Sequence, residues 1–309
     1  NPFSGNPAAV VCFPSADAAA ALDITRMRLI SAQMNLSETA FVSPVDGKSE
    51  DNFNLRWLTP DGTEVNLCGH ATLATATVLA REMGRSHSSS MTFHTLSGAL
   101  TVTANPSEPG FTMSLPSYTP VKVATKLDVN ASVSSNGATS TDTRGASGSL
   151  EEVAARLAGV VCGSIGVHSL HYSAATKKLI VRLPDGDSSL THLLTSLPKC
   201  LPSDLAANHD GSLVKGVIVT VLGAPGGAFH FQSRYFAPWV GIPEDPVTGS
   251  AHTVLAPYWA DQLGPDVYGK GEPLYARQAS ARGGDLKLVV GVSSSSSSAS
   301  TGAEAVGAR

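Results

Sequence analysis

The strongest constraint on this 309-residue chain is that it echoes itself. "LTPDGTEVNLCGHATLATATVLA" begins at Leu58, and "FAPWVGIPEDPVTGSAHTVLAPYWA" begins at Phe236. Each segment reads as a strand ending in proline, a short loop, and a glycine-led opening of an apolar helix. Gly69 follows Pro60 by nine residues, and Gly249 follows Pro238 by eleven. One occurrence in each half predicts a duplicated unit, a β-rich lobe wrapped around a buried helix. Chance similarity between two Gly-Ala-rich helix starts is the competing explanation. The fold class expected is α+β, with two pseudo-symmetric lobes and an active site in the cleft between them.

Such a duplication has a chemical consequence. A helix start carries backbone N–H groups without intrahelical partners and a partial positive charge. Two starts facing one cleft could hold a substrate carboxylate, or stabilise an enolate formed by loss of a carbon-bound proton. Gly69 and Gly249 suit substrate binding in this scheme, because a missing Cβ lets a ligand oxygen reach the backbone.

The rest of the chain supplies the elements two lobes require. "PAAVVCF" (7–13) reads as a buried strand, and Ile24, Met27, Ile30 and Met34 recur at helical spacing, with Asn35 able to end that helix. "LSETAFVSP" reads as a short strand from Thr39 to Val42 with Glu38 at its mouth, and "NFNLRWLTP" as a second strand that Pro60 stops. "GHATLATATVLAREMG" is apolar almost all round and belongs in a core. Strands follow near 91–95, 98–104 and 111–115. Ser149 and Glu152 predict a capping box for a helix through Leu157. "KKLIVRLP", "GSLVKGVIVTVLG" and "AFHFQSRYFAP" supply strands of the second half, and "GAPGGAF" (223–229) is a hairpin turn, since it lacks the lysine and hydroxyl ending of a phosphate loop. The division expected is 1–118 for the N-terminal lobe and 119–309 for the C-terminal lobe. Residues 125–149 and 293–300 are expected to be insertions or disordered, and the C-terminal segment could pack on the N-terminal lobe.

Composition narrows the function. Hydrophobic residues make up 42% of the chain and charged ones 15%, so a large core can form. A net charge of −4 gives no electrostatic reason to expect nucleic acid or an anionic membrane as partner. Nothing approaches a membrane-spanning run. The chain opens at Asn1-Pro2 without an initiator methionine, so a targeting segment could precede it. Cys12, Cys68, Cys162 and Cys200 form neither a disulfide framework nor a Cys-x-x-Cys pattern, and reduced thiols in a cytoplasmic protein are expected. A hydrolase is poorly supported, because there is no Gly-x-Ser-x-Gly elbow and Ser250 has no evident triad.

"FSGNPAAVV", "NLSETAFV", "LCGHATLATA", "RYFAP", "EDPVTGSAH" and "QASARGGDL" together resemble the motif set of the PhzF-like, phenazine-biosynthesis-like family, in order from residue 3 to about 290. The resemblance implies a diaminopimelate-epimerase-like fold and cofactor-independent proton transfer on a small carboxylated metabolite, in a homodimer. It places the general acid/base on Glu38, with His70, Asp245 and Ser250 as polar partners. A cofactor-independent isomerase is therefore expected. The alternatives are an amino-acid or hydroxy-acid epimerase of the same fold, and a binding protein that has kept the fold without the chemistry.

Each residue also has a plainer reading. Glu38 could be a strand-end carboxylate; to move a proton on carbon it needs its pKa lifted by burial or a like charge. His70, at a helix start, is expected to be neutral. Asp245 precedes Pro246, which holds it extended outside the helix. Thr248 and Ser250 can cap that helix, leaving Asp245 to face substrate across from Glu38; Ser250 divides between cap and substrate donor. Epimerases of this fold that use two thiols place one in each lobe, and here Asp245 lies where the second is expected, so Cys68 reads as a small buried residue. A zinc site on Cys68 and His70 lacks further ligands at suitable spacing.

Overall fold

The computed structural model describes residues 3–82, 90–105, 110–125, 148–163, 165–197, 201–267, 272–291 and 302–306. Most of the insertion expected at 125–149, the serine tract and Cys200 lie outside these residues. The chain divides into two compact units. Unit 1 comprises Asn1–Ser117, Thr248–Thr253 and Leu286–Arg309, and unit 2 comprises Tyr118–Val247 and Val254–Asp285.

Unit 1 is a mixed sheet around one helix. Its strands are β1 (Ala8–Cys12), β2 (Glu38–Pro44), β3 (Asn52–Leu58), β4 (Glu64–Val65), β5 (Ser90–Thr95), β6 (Gly98–Ala104) and β7 (Phe111–Pro116). Helices α1 (Ala16–Ala20) and α2 (Ile24–Met34) join β1 to β2, and α3 (Gly69–Glu82) is the central helix. The strand order is β1-β2-β3-β5-β6-β7, with the β1–β2 and β3–β5 pairs parallel and β4 added on β3. The period-two pattern of β3 sends Phe53, Leu55 and Trp57 into the core. The ring of Phe53 stacks on that of Phe93. Arg56 points the opposite way, toward α2, where Met27, Phe41 and Leu58 form a small second cluster. Helix α3 packs on β1, β2 and β7 and buries Ala71, Thr72, Thr75, Ala76, Leu79 and Ala80, as its apolar composition requires.

Two local expectations hold. Helix α2 ends at Asn35 in the left-handed conformation (φ 50°), and its N–H bonds the Ser31 carbonyl. β2 begins at Glu38. One does not hold as written: β1 is the edge strand of unit 1's sheet, so of its residues only Ala9 is fully buried. Periodicity also passed over α1, a five-residue turn capped by the Ser15 side chain.

Unit 2 sets a second mixed sheet between two helical layers. Its strands are β8 (Val121–Thr125), β9 (Ser169–Ser173), β10 (Lys178–Arg182), β11 (Gly216–Leu222), β12 (Phe231–Ala237), β13 (Ile242–Asp245) and β14 (Leu274–Gln278). The order is β14-β12-β11-β10-β9-β8, with β13 on β12. Helices α4 (Leu150–Cys162), α5 (Asp187–Thr191) and α6 (Leu201–Asn208) lie in the connections. The capping box predicted for α4 is present, with Ser149 and Glu152 bonded reciprocally. The turn at 223–229 joins the antiparallel pair β11–β12. Alternate residues Leu170, Tyr172, Leu179, Val181, Val217, Val219 and Val221 pack on α4 and α6.

The opposite face of that sheet receives helix α7 (Gly249–Val267), whose first turn is counted with unit 1. Trp259 stacks on Phe231 and donates its indole N–H to Thr220 Oγ1 at 3.1 Å. The helix is interrupted at Gly264, where φ is +69°. Near the C-terminus β15 (Gly284–Val290) pairs with β16 (Gly302–Val306), and β16 pairs with β7. The architecture is α+β, with two mixed sheets. Among the described residues no helix is long and apolar enough to cross a membrane.

Candidate active site

A parallel strand pair and a helix start together build the site in unit 1. β1 and β2 run in register with Ala8 opposite Glu38, so Asn6, Ser37 and Glu38 gather at one end of the pair. Helix α3 packs over that end and brings in Cys68 and His70. Glu38 shares a strand face with the core residues Ala40 and Val42, and only 7% of it is exposed.

The cluster is tightly knit. His70 Nε2 stands 3.1 Å from Glu38 Oε2. On the other side of the ring, Asn6 Nδ2 lies 3.2 Å from Nδ1 and Cys68 Sγ lies 3.6 Å from it. Ser37 Oγ donates to Asn6 Oδ1 at 2.7 Å and reaches Nε2 at 3.4 Å. Although the imidazole is this close, its N–H is not aimed at Glu38 Oε2, and that buried oxygen has no aligned hydrogen-bond donor among the described residues. A carboxylate oxygen so placed has lost water and gained the nearby ring but no aligned hydrogen bond, which leaves it an acceptor for whatever enters the site.

The neutral ring expected for His70 is corrected by these neighbours. Burial works against a charge on His70, but the Cys68 sulfur and the Glu38 carboxylate more than offset it, and the imidazole pKa is raised well above its ordinary value. The helix start favours a neutral ring, yet the Cys68 sulfur and then the Glu38 carboxylate, both in contact with the imidazole, are together the stronger effect. An amide nitrogen facing Nδ1 requires an acceptor there, so a neutral ring carries its proton on Nε2, the nitrogen nearer Glu38. A doubly protonated ring is satisfied when the Asn6 amide turns its oxygen to Nδ1 instead. Asn6 and Ser37 were not singled out from the sequence, although both stand inside the motifs that contain Pro7 and Glu38.

Burial pushes the Cys68 thiol up, so at neutral pH it is a thiol, in keeping with a small buried residue. The expectation that Cys68 and His70 lack a third metal ligand is corrected: one ligand atom each from Glu38, Cys68 and His70 lie within 4.8 Å of one another. Sequence spacing could not show this, because Glu38 is 30 residues away on a strand. Sγ lies at Nδ1 and the carboxylate at Nε2, so one ion could engage only one ring nitrogen.

The two helix starts meet, but the glycines do not serve as expected. A Cβ built on Gly69 would stand 3.6 Å from Gly249 Cα and 3.1 Å from Met113 Cε. One built on Gly249 would stand 3.5 Å from Gly69 Cα and 3.6 Å from Leu115 Cδ1. The faces without a Cβ are therefore turned toward one another and toward apolar side chains rather than toward open ligand space. Their absence lets the helix starts approach, which brings the positive ends of α3 and α7 together. Ser250 is the next residue of α7, and its carbonyl accepts from Thr253 Oγ1 at 2.8 Å. The Thr248 carbonyl accepts from the His252 ring at 2.8 Å, and burial of that ring lowers its pKa to about 4.

Asp245 belongs to unit 2. It ends strand β13, extended as the following proline demands, and is paired with Tyr235. It is not left unengaged. It is 5% exposed, its carbonyl accepts from Gln278 Nε2 at 2.6 Å, and its charge acts on buried Lys178. Burial lowers the Lys178 pKa to about 8, with Asp245 opposing the shift.

Comparison with known proteins shows the family of the chain. The sequence model described as phenazine biosynthesis-like protein, PhzC-PhzF, matches residues 1–306. A phenazine biosynthesis-like domain-containing protein of Bos taurus is 41% identical over 295 residues, 93% of this chain and 86% of the relative. An uncharacterized isomerase of Pseudomonas aeruginosa is 36% identical over 290 residues, 94% and 87% of the two chains. A solved structure of a phenazine biosynthesis protein of the PhzF family from Enterococcus faecalis is 29% identical, covers 100% of this chain and 91% of its own, and superposes with a TM-score of 0.70. The chain belongs to the phenazine biosynthesis-like family.

Proposed function

We propose that this protein is a cofactor-independent isomerase that moves a carbon-bound proton on a small carboxylated metabolite, with Glu38 as general acid/base. The observation that carries the reading is the buried Glu38 carboxylate, in contact with His70 yet with Oε2 lacking an aligned donor among the described residues. The isomerase name of a relative over nine-tenths of the chain supports the reaction class.

Glu38 takes the proton from a carbon beside a carboxyl or an unsaturated bond. The electron pair left behind spreads onto oxygen, where His70 and the converging helix starts at Gly69 and Gly249–Ser250 oppose its charge. Glu38 then returns a proton to another carbon. No atom is gained or lost, which suits a site built from proton carriers. His70 is a counter-charge beside Glu38, and Asn6 with Ser37 sets its ring.

A thiol-based epimerase is the second reading, favoured only by Cys68 lying 3.6 Å from His70. Burial holds that thiol protonated, which works against its acting as a base. Incubating the protein with a panel of carboxylated metabolites in deuterated water tests the proposal. It predicts deuterium uptake at carbon in at least one compound without added cofactor or metal. Uptake in none, by protein that is folded, would favour a binding role.

A further inference from the structure

Unit 2 carries a cavity that the proton-transfer reading does not use. It measures about 380 Å³, within the size range of small-molecule sites, and is bounded by β8, β9 and the second half of α7. Lys122, His168, Ser169, His171, Tyr258 and Asp261 line it. The alternation of β9 explains why polar groups collect there. Leu170 and Tyr172 enter the core on α4, which leaves Ser169 and His171 on the other face, beneath α7. Lys122 on the edge strand β8 is the cross-strand partner of His171.

His171 is 9% exposed, and its Nδ1 has no hydrogen-bond partner among the described residues. Its ring meets Tyr258 edge-on at 4.8 Å. Ser169 Oγ sits 3.3 Å from His168 Nδ1 and 3.5 Å from the Tyr258 hydroxyl, a row of groups that can donate into the cavity. A buried ring nitrogen without a partner, facing a polar cavity beside a lysine, is a feature that a ligand would satisfy.

We propose that this cavity is a second ligand site that takes a small anion, a carboxylate, sulfate or phosphate group, on Lys122, His171 and the Ser169–Tyr258 hydroxyls. The charges facing His171 are Lys122 on β8, Arg182 on β10, His168 before β9 and Asp261 on α7. Burial, then the Lys122, Arg182 and His168 charges, lower the His171 pKa to about 4, and Asp261 opposes them. An anion beside Lys122 offsets that field, so uptake of the anion is linked to uptake of a proton on His171.

Sulfate is the probe, because its charge does not change across the range. Calorimetric titration into the whole chain should show one-to-one binding that tightens at least threefold as pH falls from about 7.5 to 5.5, where the linkage operates. The His171 ring signals should move on saturation. Lys122→Ala is an exposed substitution that should weaken sulfate at least fivefold while leaving deuterium exchange at the Glu38 centre unchanged. His171→Gln should abolish the pH dependence. Absence of binding at millimolar sulfate would overturn the proposal. So would binding that is unaffected by Lys122→Ala, or that disappears in Glu38-site variants instead.

Discussion

His70 Nε2 and Glu38 Oε2 stand 3.1 Å apart, both buried, one from the start of α3 and the other from the first residue of β2. The contact ties a helix to a strand and holds a base beside a counter-charge. It also makes the charge of His70 depend on its neighbours, and that dependence can be measured.

Glu38→Gln should lower the His70 pKa, followed through the ring signals by NMR. A folded-state pKa above the unfolded value means the interaction stabilises the fold fully below about pH 6.5 and fades as pH rises through the folded pKa. The wild type should lose this contribution on the alkaline side, and Glu38→Gln should lose less, because only the Cys68 part remains. An unchanged His70 pKa in the variant would remove Glu38 as the cause.

His252 titrates in the other direction. Burial lowers its pKa to about 4, so the folded protein resists a proton that the unfolded chain accepts from about pH 6.5 downward. Stability should fall between about pH 6.5 and 4, by on the order of 3 kcal/mol from this group. Urea unfolding at three pH values across the window measures it, and a flat profile would contradict the burial argument.

Gly69 and Gly249 should be energetically coupled. Either glycine replaced by alanine meets contacts that are ordinary, or that the flexible Met113 end can yield. The two alanines together direct methyl groups into one gap, so the double variant should be less stable than the singles sum to, by about 0.5–3 kcal/mol. Gly249→Val should destabilise the folded protein as well as impair the site. Additive alanine effects in denaturant unfolding would show that the helix starts do not need the missing Cβ atoms.

Cys68→Ser should keep most of the exchange activity, because the thiol is held protonated by burial. Loss by several orders of magnitude, in a variant that unfolds like the wild type, would favour the thiol-based reading.

Much of the fold was legible because its signals are local. The period-two run at 53–57, the left-handed Asn35, the Ser149–Glu152 box and the two glycine-led helices depend on near neighbours in sequence. The site was legible only in its parts. Glu38, His70 and Gly69 stand in motifs, but what joins them is the parallel register of β1 and β2 and the packing of α3, which one sequence does not reveal. For the same reason Asn6 and Ser37 went unselected, the third candidate metal ligand was missed, and the glycines were given to a ligand when they serve helix approach. Charge states failed where side-chain contacts outweighed the helix start: it argued for neutral His70, and the Cys68 sulfur together with the Glu38 carboxylate reversed it.

The central claim is that Glu38 moves the proton, and one paired measurement reaches it. Turnover and deuterium uptake are followed together, for wild type and Glu38→Gln, on a compound that the wild type exchanges. Glutamine keeps the size and hydrogen bonding of the side chain but cannot cycle a proton, so binding should survive. Both rates should fall by at least ~10²-fold, the lower end of what general acid–base catalysis contributes. A Glu38→Gln protein that turned over and exchanged near the wild-type rate would contradict the account.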